Sequence, residues 1–348
     1  MSAELPEPRV PSAFGPLWLP RFFRRNLPAI ALVTLSITFA ELLTGSTPVL
    51  ALVTSLSLPF LLGLYGGGVL LVREAMVRWR VGWSSVLLLG AAYGIAEEGF
   101  GTKTFFDPQA SAVGFLGTYG HALGVNWVWA AELTIFHAVF SIALPILVVG
   151  LAFPSMRGRS FLTARSIRLV AAAFGATVVV MFFLFDRTYA PGLLVLLEWA
   201  LAAISLVVLA RFLPTGWTDR LGKGGTHSTQ YVAIAGALFV WLFFIDNLLL
   251  PHLLPYPSLI VAGELVLAAL VAIGVRGDVS GPGRPEAQLA LAKGLLSFLL
   301  VFAVLVSILG DWPALFVVAG VLFLLYRLGR PLPAPPGATN PLLLGSAR

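Results

Sequence analysis

Apolar residues in this chain come in long unbroken runs, with few of the alternations that mark a half-buried strand or a surface helix. Ten such runs, at 28–45, 49–72, 83–100, 127–152, 169–186, 191–210, 231–250, 257–275, 289–309 and 312–328, are nearly free of charge. Most hold about 17–24 residues, the length of helix that crosses a hydrocarbon layer roughly 30 Å thick. The pattern predicts an all-α polytopic membrane protein of about ten transmembrane helices.

The polar gaps between the runs give an orientation, because cytoplasmic loops hold the excess of Lys and Arg. With the N-terminus inside, 20 of the 22 basic residues fall on the cytoplasmic side, and only Lys103 and Arg187 fall outside. Both termini are then cytoplasmic, and the protein is expected in the cell membrane as a multi-pass chain. Residues 1–27 lack the order of a signal peptide and read as a cytoplasmic segment before a signal anchor. Residues 28–155 read as a membrane core, 156–330 as three helical hairpins, and 331–348 as a disordered Pro-rich tail.

Composition agrees: 58% of residues are apolar and 11% charged, against about 25% charged in soluble domains. A net charge of +6 is accounted for by the orientation charges, which also suit anionic lipid headgroups and make membrane lipid an expected partner. No basic, aromatic-interleaved surface points to nucleic acid. The absence of cysteine excludes disulfides, thiolate metal sites and a thiol nucleophile.

The chemistry lies in the few polar residues inside the runs. An ionisable side chain costs about 2.5–3.5 kcal/mol at the centre of a span on insertion scales and marks a functional candidate. Glu41, Glu97, Glu98, Glu132, Asp186, Glu198, Asp246 and Glu264 all fall in outer halves, and the inner halves hold almost nothing ionisable. His137 lies roughly 15 Å below the outer surface at about 1.5 Å per residue. One cavity open to the outer face, lined by several of these groups, would explain the asymmetry. For Asp186, Asp246 and Asp311, at helix ends, reaching into headgroups is the simpler explanation.

Glu97 and Glu98 are adjacent, so on a helix they point about 100° apart and cannot both hide against one neighbour. Such a pair can hold one proton and activate water; the alternative is neutralisation by Lys103 or by loop backbone. His137 is the only histidine inside a span, with Ser141 one turn below on the same face and Glu132 above. A packing histidine is the competing reading. The long outer loop 101–126, which carries Lys103, Asp107 and His121, reads as a lid or re-entrant element.

The stretch "YGIAEEGFGTK", followed by a histidine on the next apolar helix, resembles the CPBP superfamily of membrane proteins, which includes the CAAX prenyl endopeptidases. Their pattern is EExxxR, then FxxxH, then HxxxN or HxxxD. The resemblance covers about residues 60–150 and includes the approach "LYGGGVLLVREAMVRWRVGWSSVLLLG". It implies hydrolysis of peptide bonds in membrane-associated proteins or peptides without a cofactor. Glu97 would be the base that activates water, Glu98 its partner, and His137 the stabiliser of the tetrahedral intermediate. This chain departs from the pattern at Thr102, where the arginine would stand one residue before Lys103, and at Leu133, where the phenylalanine would stand. No later HxxxN appears, so Asp246, Asn247 or Arg187 would have to supply the third element.

Two other functions fit the same residues. The apolar helices ending at Asp186, Asp246 and Asp311, each followed by a proline and a returning helix, form a weak repeat. The repeat suits either an accessory bundle or a proton- or cation-coupled transporter. A non-enzymatic scaffold of the same family type is the third reading. No HExxH supports a zincin-type site, although Glu97, Glu98 and His137 would suit a metal if brought together; no metal is expected.

Overall fold

A computed structural model describes residues 21–185, 187–214, 216–217, 224–280 and 284–330; the expected Pro-rich tail and Asp186 lie outside them. Among the described residues, each of the ten apolar runs lies on helix, apart from residues at its ends and a break at Ser55 and Leu56 inside 49–72. In chain order the helices are α1 (Arg21–Ile37), α2 (Val49–Thr54), α3 (Ser57–Leu61), α4 (Gly67–Trp79), α5 (Trp83–Gly94), α6 (Trp127–Phe136) and α7 (Leu144–Ala152). Then follow α8 (Ala164–Leu184), α9 (Leu193–Phe212), α10 (Thr229–Leu253), α11 (Pro257–Val279), α12 (Pro285–Ile308) and α13 (Ala314–Leu328).

Four π-helical turns interrupt the first half: Thr38–Leu42 continues α1, Leu62–Gly66 joins α3 to α4, Ile95–Gly101 continues α5, and His137–Ala143 joins α6 to α7. Seven of the resulting helices, at Ser57–Trp79, Trp127–Ala152 and α8 to α12, are long and apolar enough to cross a membrane. Asn26–Leu42 and α13 are shorter apolar helices. This is an all-α, multi-pass membrane protein.

The helices differ from the apolar runs at several ends, and some of the extensions bring charge into helices. The second span begins at Ser57, because the chain turns extended at Ser55 (φ −119°, ψ 178°) and leaves α2 as a separate short helix. Asp311 stabilises the start of α2 by accepting the Val49 amide at 3.1 Å. The second span also runs on to Trp79, which places buried Arg73 and Glu74 on it, while α11 runs on to Val279 and buries Asp278. The expectation of nearly charge-free inner halves therefore fails, since helical hydrogen bonding continues beyond the apolar residues.

These inner charges are fully partnered. Glu74 accepts the backbone N–H of Phe161 at 2.6 Å, the Arg78 guanidinium at 3.0 Å and the Ser160 hydroxyl. Arg73 donates to the Met156 carbonyl at 2.6 Å and lies 3.5 Å over the Phe161 ring. Asp278 takes the His227 amide at 3.0 Å, the His227 ring at 2.8 Å and Arg284. Each network fastens an inner loop to a helix end.

In the second half, α10 packs along α12 and α11, and α13 returns along α12. Phe244 stacks on Phe298 with ring centroids 4.3 Å apart, one of a file of phenylalanines that fills the α10–α12 seam. The first expected hairpin is opened out: α8 lies against α4 and the α5 π-turn, while α9 lies along α5. The Phe105 ring reaches Trp199 of α9 at 5.1 Å, so α9 gains its aromatic contact from the outer loop. Most of the remaining surface of α8 and α9 is apolar and outward, including Leu169, Phe183, Leu194 and Leu201, as a lipid-facing helix requires.

Candidate functional site

A π-helical turn inserts one extra residue into a helix, frees a backbone carbonyl and re-aims the side chains around it; such turns are rare and concentrate at functional sites. All four in this chain carry polar residues of one buried cluster. The α1 turn supplies Glu41, the α3–α4 turn Tyr65, the α5 turn Glu97 and Glu98, and the α6–α7 turn His137 and Ser141. The freed carbonyl of Ser141 is taken by the Ser36 hydroxyl of α1 at 2.6 Å.

His137 stands at the centre. Its Nε2 lies 3.3 Å from Glu98 Oε1, and its Nδ1 lies 2.9 Å from Ser141 Oγ and 3.3 Å from Glu97 Oε2. The three residues are 1–9% exposed. Glu98 is held on its other oxygen by the Thr102 hydroxyl at 3.0 Å and by the Thr104 hydroxyl. Neutral donors, the Thr102 and Thr104 hydroxyls, do the holding here. Neither Glu97 Oε2 nor the buried Tyr93 hydroxyl makes a well-formed hydrogen bond, but the hydroxyl lies beside the Glu97 carboxylate, the acceptor within its reach. Tyr93 meets His137 edge-on, ring centroids 5.7 Å apart.

Tyr65 and Glu41 complete the cluster. The Tyr65 hydroxyl donates to Glu41 Oε1 at 2.5 Å, and Thr47 donates to Glu41 Oε2 at 2.6 Å. Sequence reasoning placed Glu41 among the outer acids and passed over Tyr65, Tyr93 and Thr104. The available signal was a tyrosine in the middle of each of two apolar spans.

The outer loop forms the roof. Residues 103–107 are buried beneath the outer end of the bundle, and Phe105 and Phe106 are fully enclosed. Asn126 pins them: its side-chain amide donates to the carbonyls of Thr104 at 2.8 Å and Asp107 at 2.9 Å, and its own N–H to that of Phe105 at 2.8 Å. Its side-chain oxygen meets the His121 ring at 2.6 Å. Residues 103–107 of the expected lid or re-entrant loop thus fold in under the outer end of the bundle.

An open outer cavity is not what covers the carboxylates. A cavity of about 290 Å³ lies instead at the inner end, between Arg73, Trp83, Phe153, Arg157 and Gln288. The roof seals the site because its phenylalanines pack on α9.

The supporting residues divide into two groups. Lys103, at a left-handed φ of 65°, sends its ammonium to the Tyr189 carbonyl at 2.8 Å, leaving Glu98 to the two threonines and His137. Burial, with Asp107 near, raises the Tyr189 phenol above its ordinary value. Arg187 and Glu198 are exposed, so neither lines the cluster. Asp246 and Asn247 do not supply a third element to His137; they face Glu132 and Glu264, forming a second acidic group on α6, α10 and α11.

Chemically, two carboxylates around one imidazole share protons as a unit, and a carboxylate oxygen without a donor is the natural acceptor of a proton from water. Glu97, Glu98 and His137 each also offer a ligand atom within 4.8 Å of the others, so the trio has the donors for one divalent ion. No curated protein and no solved structure matches the chain. A family model does match residues 30–331, most of the sequence, and the chain belongs to that uncharacterized membrane protein family.

Proposed function

We propose that this membrane protein hydrolyses peptide bonds of membrane-associated proteins or peptides, with water activated by Glu97. The observation that carries the reading is the buried Glu97 Oε2, which accepts no well-formed hydrogen bond and lies 3.3 Å from Nδ1 of an imidazole whose other nitrogen is held by Glu98. The CPBP resemblance of the Glu-Glu and His segments supports it.

In this mechanism the Glu97 carboxylate takes a proton from water and the hydroxide oxygen attacks the peptide carbonyl. The oxyanion is met by the Tyr93 hydroxyl, which lies beside Glu97 without a well-formed hydrogen bond, and by an N–H of His137. Breakdown of the tetrahedral intermediate breaks the C–N bond, and the proton held on Glu97 passes to the leaving amine. Glu98, fixed by Thr102 and Thr104, orients the ring. Beside the site, an apolar groove of about 250 Å³ between Phe100 and Val178, Val179, Phe182 and Phe183 of α8 suits a substrate that arrives from the lipid.

The test is a survey of terminal peptides in native membranes of cells carrying wild-type protein or the Glu97→Gln and Glu98→Gln variants at equal level. Uncut membrane peptides that accumulate in both variants support a protease and name its substrate. Identical surveys overturn the reading.

Proton-coupled transport is the second reading, favoured by the unpartnered carboxylates of Glu132, Asp246 and Glu264. Against it, the buried charges Arg73, Glu74 and Asp278 of the inner ends are bound into loop-fastening networks among the described residues. Solute flux in proteoliposomes that collapses on Glu97→Gln would reverse the order. If neither cleavage nor flux is found, the scaffold reading stands.

A further inference from the structure

Away from His137, three helices bring acids together without a cation. Glu132 lies five residues into α6, Asp246 seven residues before the end of α10, and Glu264 seven residues into α11. At about 1.5 Å per residue, all three sit roughly 8–11 Å below the outer helix ends. A Cβ on Gly263 would meet Asp246 Oδ1 at 3.8 Å, which places that carboxylate against α11 beside Glu264. Glu132 is an electrostatic neighbour of both Asp246 and Glu264.

These groups lack donors. Both oxygens of Glu264, one each of Glu132 and Asp246, and the side-chain oxygen of Asn247 have no hydrogen-bond partner, and Glu264 is fully buried. An isolated ionised carboxylate in such a place is untenable; it is paired, metal-bound or neutral. No basic side chain acts on any of the three among the described residues. The facing titratable groups are Glu98 from the α5 turn and Tyr119 from the outer loop, whose hydroxyl donates to the Leu254 carbonyl at 2.7 Å. His252, farther out on α10, is stacked on Phe115. Lys293 of α12, which packs along α10, is exposed and belongs to the inner half of its helix.

A metal ion fits less well than protons. Small divalent ions gather their oxygen ligands at about 2.0–2.6 Å, yet among the described residues only the Glu97–Glu98–His137 trio brings its ligand atoms within 4.8 Å of one another. A proton needs one carboxyl at a time. The order of exposure also gives a direction: Asp246 is half-buried, Glu132 is buried, and α6, which carries Glu132, packs against the α5 turn that carries Glu98, whose Oε1 is 3.3 Å from His137.

We propose that Asp246, Glu132 and Glu98 form a proton path from the outer face to His137, with Glu264 as a storage branch beside it. Each step is a carboxyl-to-carboxyl transfer, directly or through water, ending on the imidazole. The path goes beyond the hydrolytic reading, since it delivers protons to the cluster whatever reaction occurs there.

The experiment is infrared difference spectroscopy of the full-length protein in lipid, with isotope-labelled histidine, after a jump in external pH. Loss of the ring band in His137→Gln assigns it. In wild type, a protonated-carboxyl C=O band that shifts in D2O is expected at neutral pH, and the His137 band should follow the jump. Glu264→Gln should remove part of the carboxyl band while leaving the His137 response. Glu132→Gln should remove part of the carboxyl band and abolish the prompt His137 response, and Glu132→Asp should restore it. Should Glu132→Gln fail to elute as a folded monodisperse protein, Asp246→Asn, at a half-buried position, should slow the same response. An unchanged His137 response in these path variants overturns the proposal. So does a carboxylate band that shifts with sodium or calcium instead of pH, which would make the cluster a cation site. None of these readouts uses cleavage, so a failed protease assay leaves the result standing.

Discussion

Gly90 and Ala138 meet backbone to backbone: a Cβ on Gly90 would stand 2.6 Å from the Ala138 Cα and 3.1 Å from its carbonyl oxygen. One turn on, a Cβ on Gly94 would stand 3.2 Å from the His137 Cβ. This small-xxx-small pair lets α5 approach the His137 turn closely, and the approach sets the distance between the glutamates and the imidazole. Gly90→Val must therefore push backbone away from backbone, at a cost of about 1–3 kcal/mol or more. Thermal unfolding in lipid should show a lowered midpoint, whereas Gly175→Ala on α8, with open space around it, should leave the midpoint unchanged.

Glu97 and Glu98 have different partners, so their variants should differ in stability. Under the proposed mechanism Glu97→Gln removes the base, so cleavage should fall by about 10²–10⁴, with the fold intact. Glu98→Gln leaves one neutral amide oxygen in place of the carboxylate that two threonine hydroxyls and His137 share, and Thr104→Val strips one donor from Glu98. Leaving a buried carboxylate short of a donor costs about 1–3 kcal/mol, so Thr104→Val should unfold earlier than Glu97→Gln. Equal unfolding midpoints for the two variants would contradict this assignment.

The sequence made the helices and the His137–Glu97–Glu98 trio legible, and physics explains the rest. Runs such as 127–152 are apolar enough to be helical wherever they lie, and two adjacent glutamates within such a run demand a polar partner. Neither the π-turns nor the Gly90–Ala138 contact is visible in composition, because both depend on which helix neighbours which. Helix α4 continues past Arg73 because Glu74 and the loop carbonyls satisfy it, a compensation that hydrophobicity alone does not signal. The pairing of Asp246 with Glu132 instead of His137 likewise follows from α11 packing against both α6 and α10.

Asn126 is the clasp of the roof. Asn126→Ala removes two side-chain hydrogen bonds to the carbonyls of Thr104 and Asp107, each worth about 1 kcal/mol net. The loop should then open more often. Hydrogen exchange at residues 103–107 should accelerate in the variant, and protease should cut the 101–126 loop faster than in wild type.

Glu74 lies at the opposite end of the molecule and tests an independent network. Glu74→Gln leaves Arg73 buried without its carboxylate and leaves one amide oxygen where two carboxylate oxygens now accept from Phe161, Arg78 and Ser160. Breaking one side of a buried ion pair costs about 3–5 kcal/mol. The variant should lose a large share of its stability and release the inner loop 153–163 to protease, while cleavage per folded molecule stays near wild type because the His137 cluster is untouched.

The final prediction concerns metal. Glu97, Glu98 and His137 can each turn one donor atom toward a common point, yet Ser141 already engages His137 Nδ1, and Thr102 and Thr104 engage one Glu98 oxygen. A working ion would need these donors turned away, whereas a working base needs them where they are. Chelator treatment should therefore leave cleavage unchanged. Added Zn²⁺ should inhibit, because an ion bound to the free Glu97 oxygen and a ring nitrogen displaces the water to be activated. Inhibition should disappear in a chelator wash. Loss of cleavage on chelation, restored by Zn²⁺, would convert the glutamate-activated water into a metal-activated one and transfer Glu97 from base to ligand.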